Sequence, residues 1–243
     1  MVIEKLKKEL EKLANSEKAQ LLQRFFKTAR GEYGEGDVFL GITVPEQRKI
    51  ARQFQNEASL EDIQGLLNSK IHEYRLMALL ILIEKYKKAC KKKSEKEKKE
   101  IFEFYLENAK KRNINNWDLV DLSAPKIVGD FLLDKNREIL HKLANSENLW
   151  EKRIAIISCF AFIRENDFKE ALEISKTLLN DKHDLIHKAV GWMLREIGKK
   201  NLEIEEEFLK ENKRYKNMPR TMLRYSIEKF PEEKRKSYLS GNL

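Results

Sequence analysis

The chain has 243 residues, with 49 Lys and Arg against 40 Asp and Glu and a net charge of +9. That length supports a substantial hydrophobic core, and the basic balance points to a polyanionic partner, nucleic acid or an anionic membrane surface, with a merely solvated basic surface as the bland alternative. No run of about 18 apolar residues exists to span a bilayer, and the acid-bearing start MVIEKLKKELEKL lacks the apolar centre of a signal peptide.

Glycine (9) and proline (4) are scarce, helix formers dominate, and period-2 alternation is absent. These features predict an all-α chain opened by an amphipathic helix. The first break is RGEYGEGDVFLGITVPE, residues 30–46, which holds four of the nine glycines. No strand precedes it and no Lys-Ser/Thr follows, so the phosphate-loop motifs fail and a flexible connection is expected. Pro45 then fits the first turn of a helix capped near Thr43 or Val44.

Segments opening polar and continuing apolar follow at intervals of about 33–42 residues: HEYRLMALLILIEKY, NNWDLVDLSAPKIVGDFL, NLWEKRIAIISCFAFI, HDLIHKAVGWMLREIG and MPRTMLRYSIEKF. That recurrence predicts HEAT-like helix-pair repeats forming a curved solenoid with a concave basic surface. With no linker in sight, residues 1–243 read as one all-α domain. The mixed-sign run CKKKSEKEKKE, 90–100, reads as the opening of a solvated helix. Cys90 and Cys159 fit no metal or redox spacing and read as free thiols, which suits a cytoplasmic location.

Positions i and i+4 lie about 40° apart around a helix, so spacing sorts the faces. In 183–199, Leu185, Ile186, Ala189, Val190, Met193, Leu194 and Ile197 form a core arc. Trp192 falls just outside it, on a strip with Lys188, Arg195 and Lys199. Two readings of Trp192 stand: an aromatic set in a basic, anion-binding stripe, or a ring packing at the edge of the core. The helix over 149–163 is apolar nearly all round except for a strip with Arg153, Arg164 and Trp150. A buried Arg153 needs a partner, either a carboxylate or a phosphate. In NNWDLVD, Asn116 suits a helix cap and Asp118 the first turn. Asp121, on the face of Trp117, is not explained by capping; an ion pair with Arg153 is the structural alternative to a functional role. His183 and His187 have a spacing that can ligate zinc, but no third ligand is evident, and no metal is expected.

The blocks FLGITVPEQRK, NNWDLVD, NLWEKRIAI and HKAVGWMLRE, in that order, resemble the DNA alkylation repair glycosylases of the AlkD type, over about residues 20–230. The resemblance implies HEAT-like helix pairs curved around duplex DNA and removal of cationic N3- and N7-alkylated purines, without metal or organic cofactor. Asp121 matches the family's catalytic carboxylate, and Trp117, Arg153 and Trp192 match its DNA-binding residues. By position, Thr43 and Arg48 match residues near a backbone-binding loop, and Lys188 and Arg195 extend the grip. The Gly-rich insertion 31–36 departs from the pattern. Implied chemistry is oxocarbenium stabilisation and water orientation by the carboxylate, performed by a monomer on nucleoid DNA in the cytoplasm. A HEAT-like protein that binds distorted or branched DNA without catalysis is the alternative.

Overall fold

The computed structural model describes residues 2–242. The described residues are helical or irregular, with no strand beyond the isolated parallel bridge of Val38 and Ile71. No helix among them is long and apolar enough to cross a membrane. The chain forms two compact units, Met1–Ser123 and Ala124–Leu243.

The first unit holds α1 (Val2–Glu11), α2 (Ser16–Phe25), α3 (Val44–Phe54), α4 (Leu60–Leu67), α5 (His72–Lys91), α6 (Glu95–Lys110) and α7 (Trp117–Ala124). The amphipathic opening behaves as its spacing predicts, with Leu6 and Leu10 of α1 buried. The centre is α5, buried at every position from His72 to Ile83 and packed by α3, α4 and α6. A helix apolar on all sides must be enclosed, and its neighbours in sequence enclose it. The mixed-sign run divides between the end of α5 and the start of α6, where the Ser94 hydroxyl accepts the Glu97 N–H at 3.3 Å.

The segment 30–46 corrects the expectation of a flexible connection. Val38 N–H donates to the Lys70 carbonyl (3.0 Å), and His72 N–H donates to the Val38 carbonyl (2.8 Å). The buried carboxylate of Glu73 then accepts the backbone N–H groups of Leu40 (2.9 Å), Gly41 (2.8 Å) and Ile42 (3.3 Å). One side chain thereby satisfies three backbone donors that a loop away from solvent would otherwise leave unpaired. The loop leads into α3, which Thr43 caps: its backbone N–H and hydroxyl both donate to Glu46 Oε2, at 3.0 and 2.6 Å.

The second unit opens with a π-helical turn, Pro125–Gly129. Proline brings no N–H to the ladder, so a widened turn stands where the sequence pattern runs unbroken. There follow α8 (Glu138–Ala144), α9 (Leu149–Ser158), α10 (Phe160–Arg164), α11 (Lys169–Thr177), α12 (Asp184–Lys200), α13 (Leu202–Lys210), α14 (Arg214–Asn217), α15 (Arg220–Ser226) and α16 (Glu232–Ser240). The single helix expected over 149–163 is instead α9 and α10, interrupted at Cys159. Every residue of the core arc assigned to α12 is buried. The helix packs most extensively on α15, and Gly191 permits that approach: a Cβ there would lie 2.5 Å from the Met222 carbonyl oxygen. Both cysteines are free thiols, and burial pushes the Cys159 thiol well up.

Gly41 provides a test of how firmly the loop is held. Its φ is +82°, and a Cβ would lie 2.2 Å from the Asn15 carbonyl oxygen. Gly41→Ala should therefore cost about 3 kcal/mol or more in urea denaturation, combining left-handed strain with a backbone clash. A loss below about 1 kcal/mol would mean that the loop is as loose as its composition implies.

Candidate nucleic-acid interface

Trp117, Asp121, Thr43 and Arg48 belong to the first unit, and Arg153, Lys188, Trp192 and Arg195 to the second. Each group is described in its own surroundings.

In the first unit, the start of α7 is fixed by a buried ionic cluster. Asn116, fully buried, precedes the helix and accepts the N–H of its first residue, Trp117, on Oδ1 at 2.8 Å. The carboxylate of Asp118 accepts the Leu119 N–H at 2.8 Å and meets His72 Nε2 at 2.8 Å. The other ring nitrogen of His72 lies 3.2 Å from Asp37 Oδ2. That same oxygen takes Arg75 at 2.6 Å and the Asn116 amide at 3.3 Å. Asp118 is thus structural, but its partner is a histidine from the centre of the unit as well as the helix terminus.

The charges in this cluster decide one another. Burial alone would lower the His72 pKa; the charge of Asp118 and the hydrogen bonds to Asp118 and Asp37 outweigh it and raise the value to about 9. For Asp37 burial acts to raise the pKa, but hydrogen bonds from His72 and Arg75, with the Arg75 charge, hold it below the usual carboxylate range. At neutral pH the cluster is therefore an imidazolium between two carboxylates, with a guanidinium behind. The imidazole is also stacked on Phe39 (ring centroids 4.5 Å apart) and lies 5.1 Å from Phe26.

Phe26 carries the order outward. Trp117 stacks on it at 5.2 Å with an interplanar angle of 13°, and Phe25 meets the indole edge-on at 5.9 Å. The indole is half-buried, as is Asp121 one turn further along α7. Beside them, Phe25, Phe26, Phe39 and Ile42 wall a cavity of about 340 Å³, with His72 and Asp118 among its lining and Lys18 beside them. Leu21 and Phe25 on its rim are about two-thirds exposed. Arg48 is half-buried on α3, and the Thr43 hydroxyl serves the cap of that helix.

In the second unit, Arg153 is buried, and one of its partners is the Leu185 carbonyl, to which the guanidinium donates. Trp192 is half-buried at the edge of the core, its ring 6.0 Å from Phe160, over which the Arg164 guanidinium also lies at 4.8 Å. The strip around Trp192 is not the uninterrupted basic stripe that the sequence predicts. The indole N–H donates to Glu196 Oε1 at 3.0 Å, and Lys199 donates to the same oxygen at 2.7 Å. Arg195 pairs with Glu228 and lies 3.8 Å from Glu196, and Lys188 pairs with Asp184 at 2.6 Å. Glu196 was discoverable: it stands four residues after Trp192, on the same face. His183 and His187 do not form a metal pair. His183 caps α12, accepting the Leu185 N–H at 3.1 Å, and His187 Nε2 lies 2.5 Å from the Asp181 carbonyl oxygen.

The sequence reading missed His72, Asp37 and Arg75 altogether, because no local spacing links residues drawn from a loop, α5 and α7. Their linkage has a measurable consequence. A folded-state His72 pKa raised above its unfolded value gives stability that is fully present below about pH 6.5 and is lost as pH rises through about 9. His72→Gln should remove that dependence: the loss of stability between about pH 6 and about pH 9, of order 3 kcal/mol for this group in the parent, should shrink correspondingly in urea titrations of the variant. Equal slopes in the two proteins would show that His72 is not held charged.

A family model described as DNA alkylation repair enzyme matches residues 6–230. Among solved structures, the fold is similar to that of a predicted DNA alkylation repair enzyme from Enterococcus faecalis, with 20% identity, 90% of this chain and 97% of that chain covered, and a TM-score of 0.68. It is also similar to AlkD2 from Streptococcus mutans, with 18% identity, 88% and 97% covered, and a TM-score of 0.54. None of the curated proteins matches this chain. A family match over nearly the whole sequence, in a chain with this all-α architecture, places the protein in the DNA alkylation repair enzyme family.

Proposed function

We propose that the chain is a monofunctional DNA glycosylase that hydrolyses the N-glycosidic bond of cationic N3- and N7-alkylated purines in duplex DNA, as a cytoplasmic monomer without cofactor. The observation that carries this reading is the placement of Asp121. It is a half-buried carboxylate on α7, one turn beyond an end of the helix that His72 locks through Asp118 and that the Trp117–Phe26 stack holds from outside.

An alkylated purine cation departs with the bonding electron pair and needs no general acid. Positive charge passes to the deoxyribose as an oxocarbenium ion, water adds at C1′, and a proton is released. A carboxylate fixed beside that carbon stabilises the developing charge and orients the water, and its benefit depends on its being positioned before the reaction begins. The indole face of Trp117 favours the same cation. Arg153, with Trp192, Lys188 and Arg195, takes the phosphate backbone, and Arg48 and Thr43 contribute from the first unit. The ion pairs of the Trp192 strip do not oppose this role. Partly exposed pairs hold their charges weakly, about 0–1 kcal/mol, so a phosphate can take the place of the carboxylate.

Asp121→Asn should slow single-turnover base excision by about 10²–10³ while leaving DNA affinity unchanged; a rate within about threefold of the parent would remove Asp121 from the chemistry. Trp192→Ala should weaken both binding and excision. If neither moves, the ring only fills the core edge beside Phe160.

A further inference from the structure

Outside the residues assigned to DNA, α8 and α11 of the second unit bring three metal-ligating side chains together. His141 stands on α8; Glu170 and Glu173 stand three apart on α11, on one face of that helix. One donor atom of each lies within 4.8 Å of the other two. His141 Nε2 is 2.5 Å from Glu170 Oε1 and 3.7 Å from Glu173 Oε2.

Glu170 makes this more than a surface cluster. It is 8% exposed, and its Oε1, the atom facing the imidazole, has no hydrogen-bond donor. A buried carboxylate oxygen without a donor is rare in a folded protein and calls for an occupant. His141 Nε2 lies against that oxygen at 2.5 Å, and a metal ion would bind by replacing this contact, drawing on the ring nitrogen's lone pair and on the carboxylate. The neighbouring cation does not fill the gap. Arg137 approaches the other oxygen, Glu170 Oε2, at 4.0 Å, and its guanidinium is committed to Asp167 Oδ2 at 2.5 Å and to the Phe162 ring at 3.9 Å. His141 and Glu173 are part-exposed, which gives an ion a path from solvent and leaves room for water ligands.

We propose that His141, Glu170 and Glu173 form a structural site for a divalent transition-metal ion of the zinc class, which ties α8 to α11. One imidazole nitrogen and two carboxylate oxygens, completed by water, match the ligand types and number that zinc accepts. Calcium and magnesium favour sets made of oxygen alone. None of these residues belongs to the proposed excision chemistry, so the site stands or falls separately from it.

The test uses the full chain, freed of metal by a chelator and titrated with Co²⁺ alone as a spectroscopic probe near neutral pH. One equivalent should bind with visible ligand-field bands. His141→Ala and Glu170→Gln should abolish these, and Glu173→Gln, at a solvent-facing position that leaves folding intact, should weaken binding at least about tenfold. Zn²⁺ should raise the Tm of the parent and not that of His141→Ala. His187→Ala, which removes the other histidine pair, should bind as the parent does. Absence of binding, or binding unchanged in His141→Ala and Glu173→Gln, would overturn the proposal and leave His141 and Glu170 as an ion pair.

Discussion

A single buried imidazolium governs the geometry of the first unit. His72 begins the central helix, and its two ring nitrogens face carboxylates from two other segments, Asp37 of the glycine-rich loop and Asp118 of α7. Next to it in sequence, Glu73 gathers three backbone N–H groups of the same loop. Two adjacent residues thus anchor a segment whose composition alone would leave it loose. The cluster is sustained only as a set. A buried charge without its partner is costly, so Asp37 needs His72 and Arg75, and His72 needs both aspartates. The consequence reaches the surface through aromatic contacts: the imidazole packs on Phe39 and Phe26, and Phe26 carries Trp117. The helix that bears Asp121 is therefore pinned at its first turn, from below by charge and from the side by stacking.

Helix content and the core faces were legible because they depend on local periodicity. The arc of α12, the amphipathic α1, the cap at Thr43 and the place of Asn116 before α7 all follow from spacings of a few residues. What was not legible depends on pairs distant in sequence. Asp37, His72 and Asp118 become neighbours only once loop, α5 and α7 have packed, and a glycine count says nothing of the hydrogen bonds that hold the backbone between the glycines. The break at Cys159 and the π turn at Pro125 were hidden by an apolar pattern that runs through both. Glu196 is a different case: it stands four residues after Trp192 on the same face, so its place among the basic side chains of the strip is a matter of local spacing.

That acid bears on how the protein engages DNA. A strip of unpaired cations would bind any polyanion tightly. If the strip takes the DNA backbone as proposed, Lys188, Arg195 and Lys199, which already rest on Asp184, Glu228 and Glu196, make phosphate compete with carboxylate, and binding is then moderated and sensitive to salt. The net charge of +9 is then a long-range attraction rather than a measure of the contacts formed. In the function proposed above, discrimination of damaged from intact DNA falls to the chemistry of the lesion, whose positive charge makes the base a ready leaving group, and to a carboxylate that meets the charge appearing on the sugar.

The most direct measurement is release of free methylated purines from alkylated duplex DNA by the purified chain, quantified by chromatography alongside its DNA affinity at several salt concentrations. Release of N3- and N7-methylated bases, with an affinity that falls steeply as salt rises, is the expected result. Tight, salt-sensitive binding with no base released would contradict the glycosylase assignment and make the protein a DNA-binding member of its family.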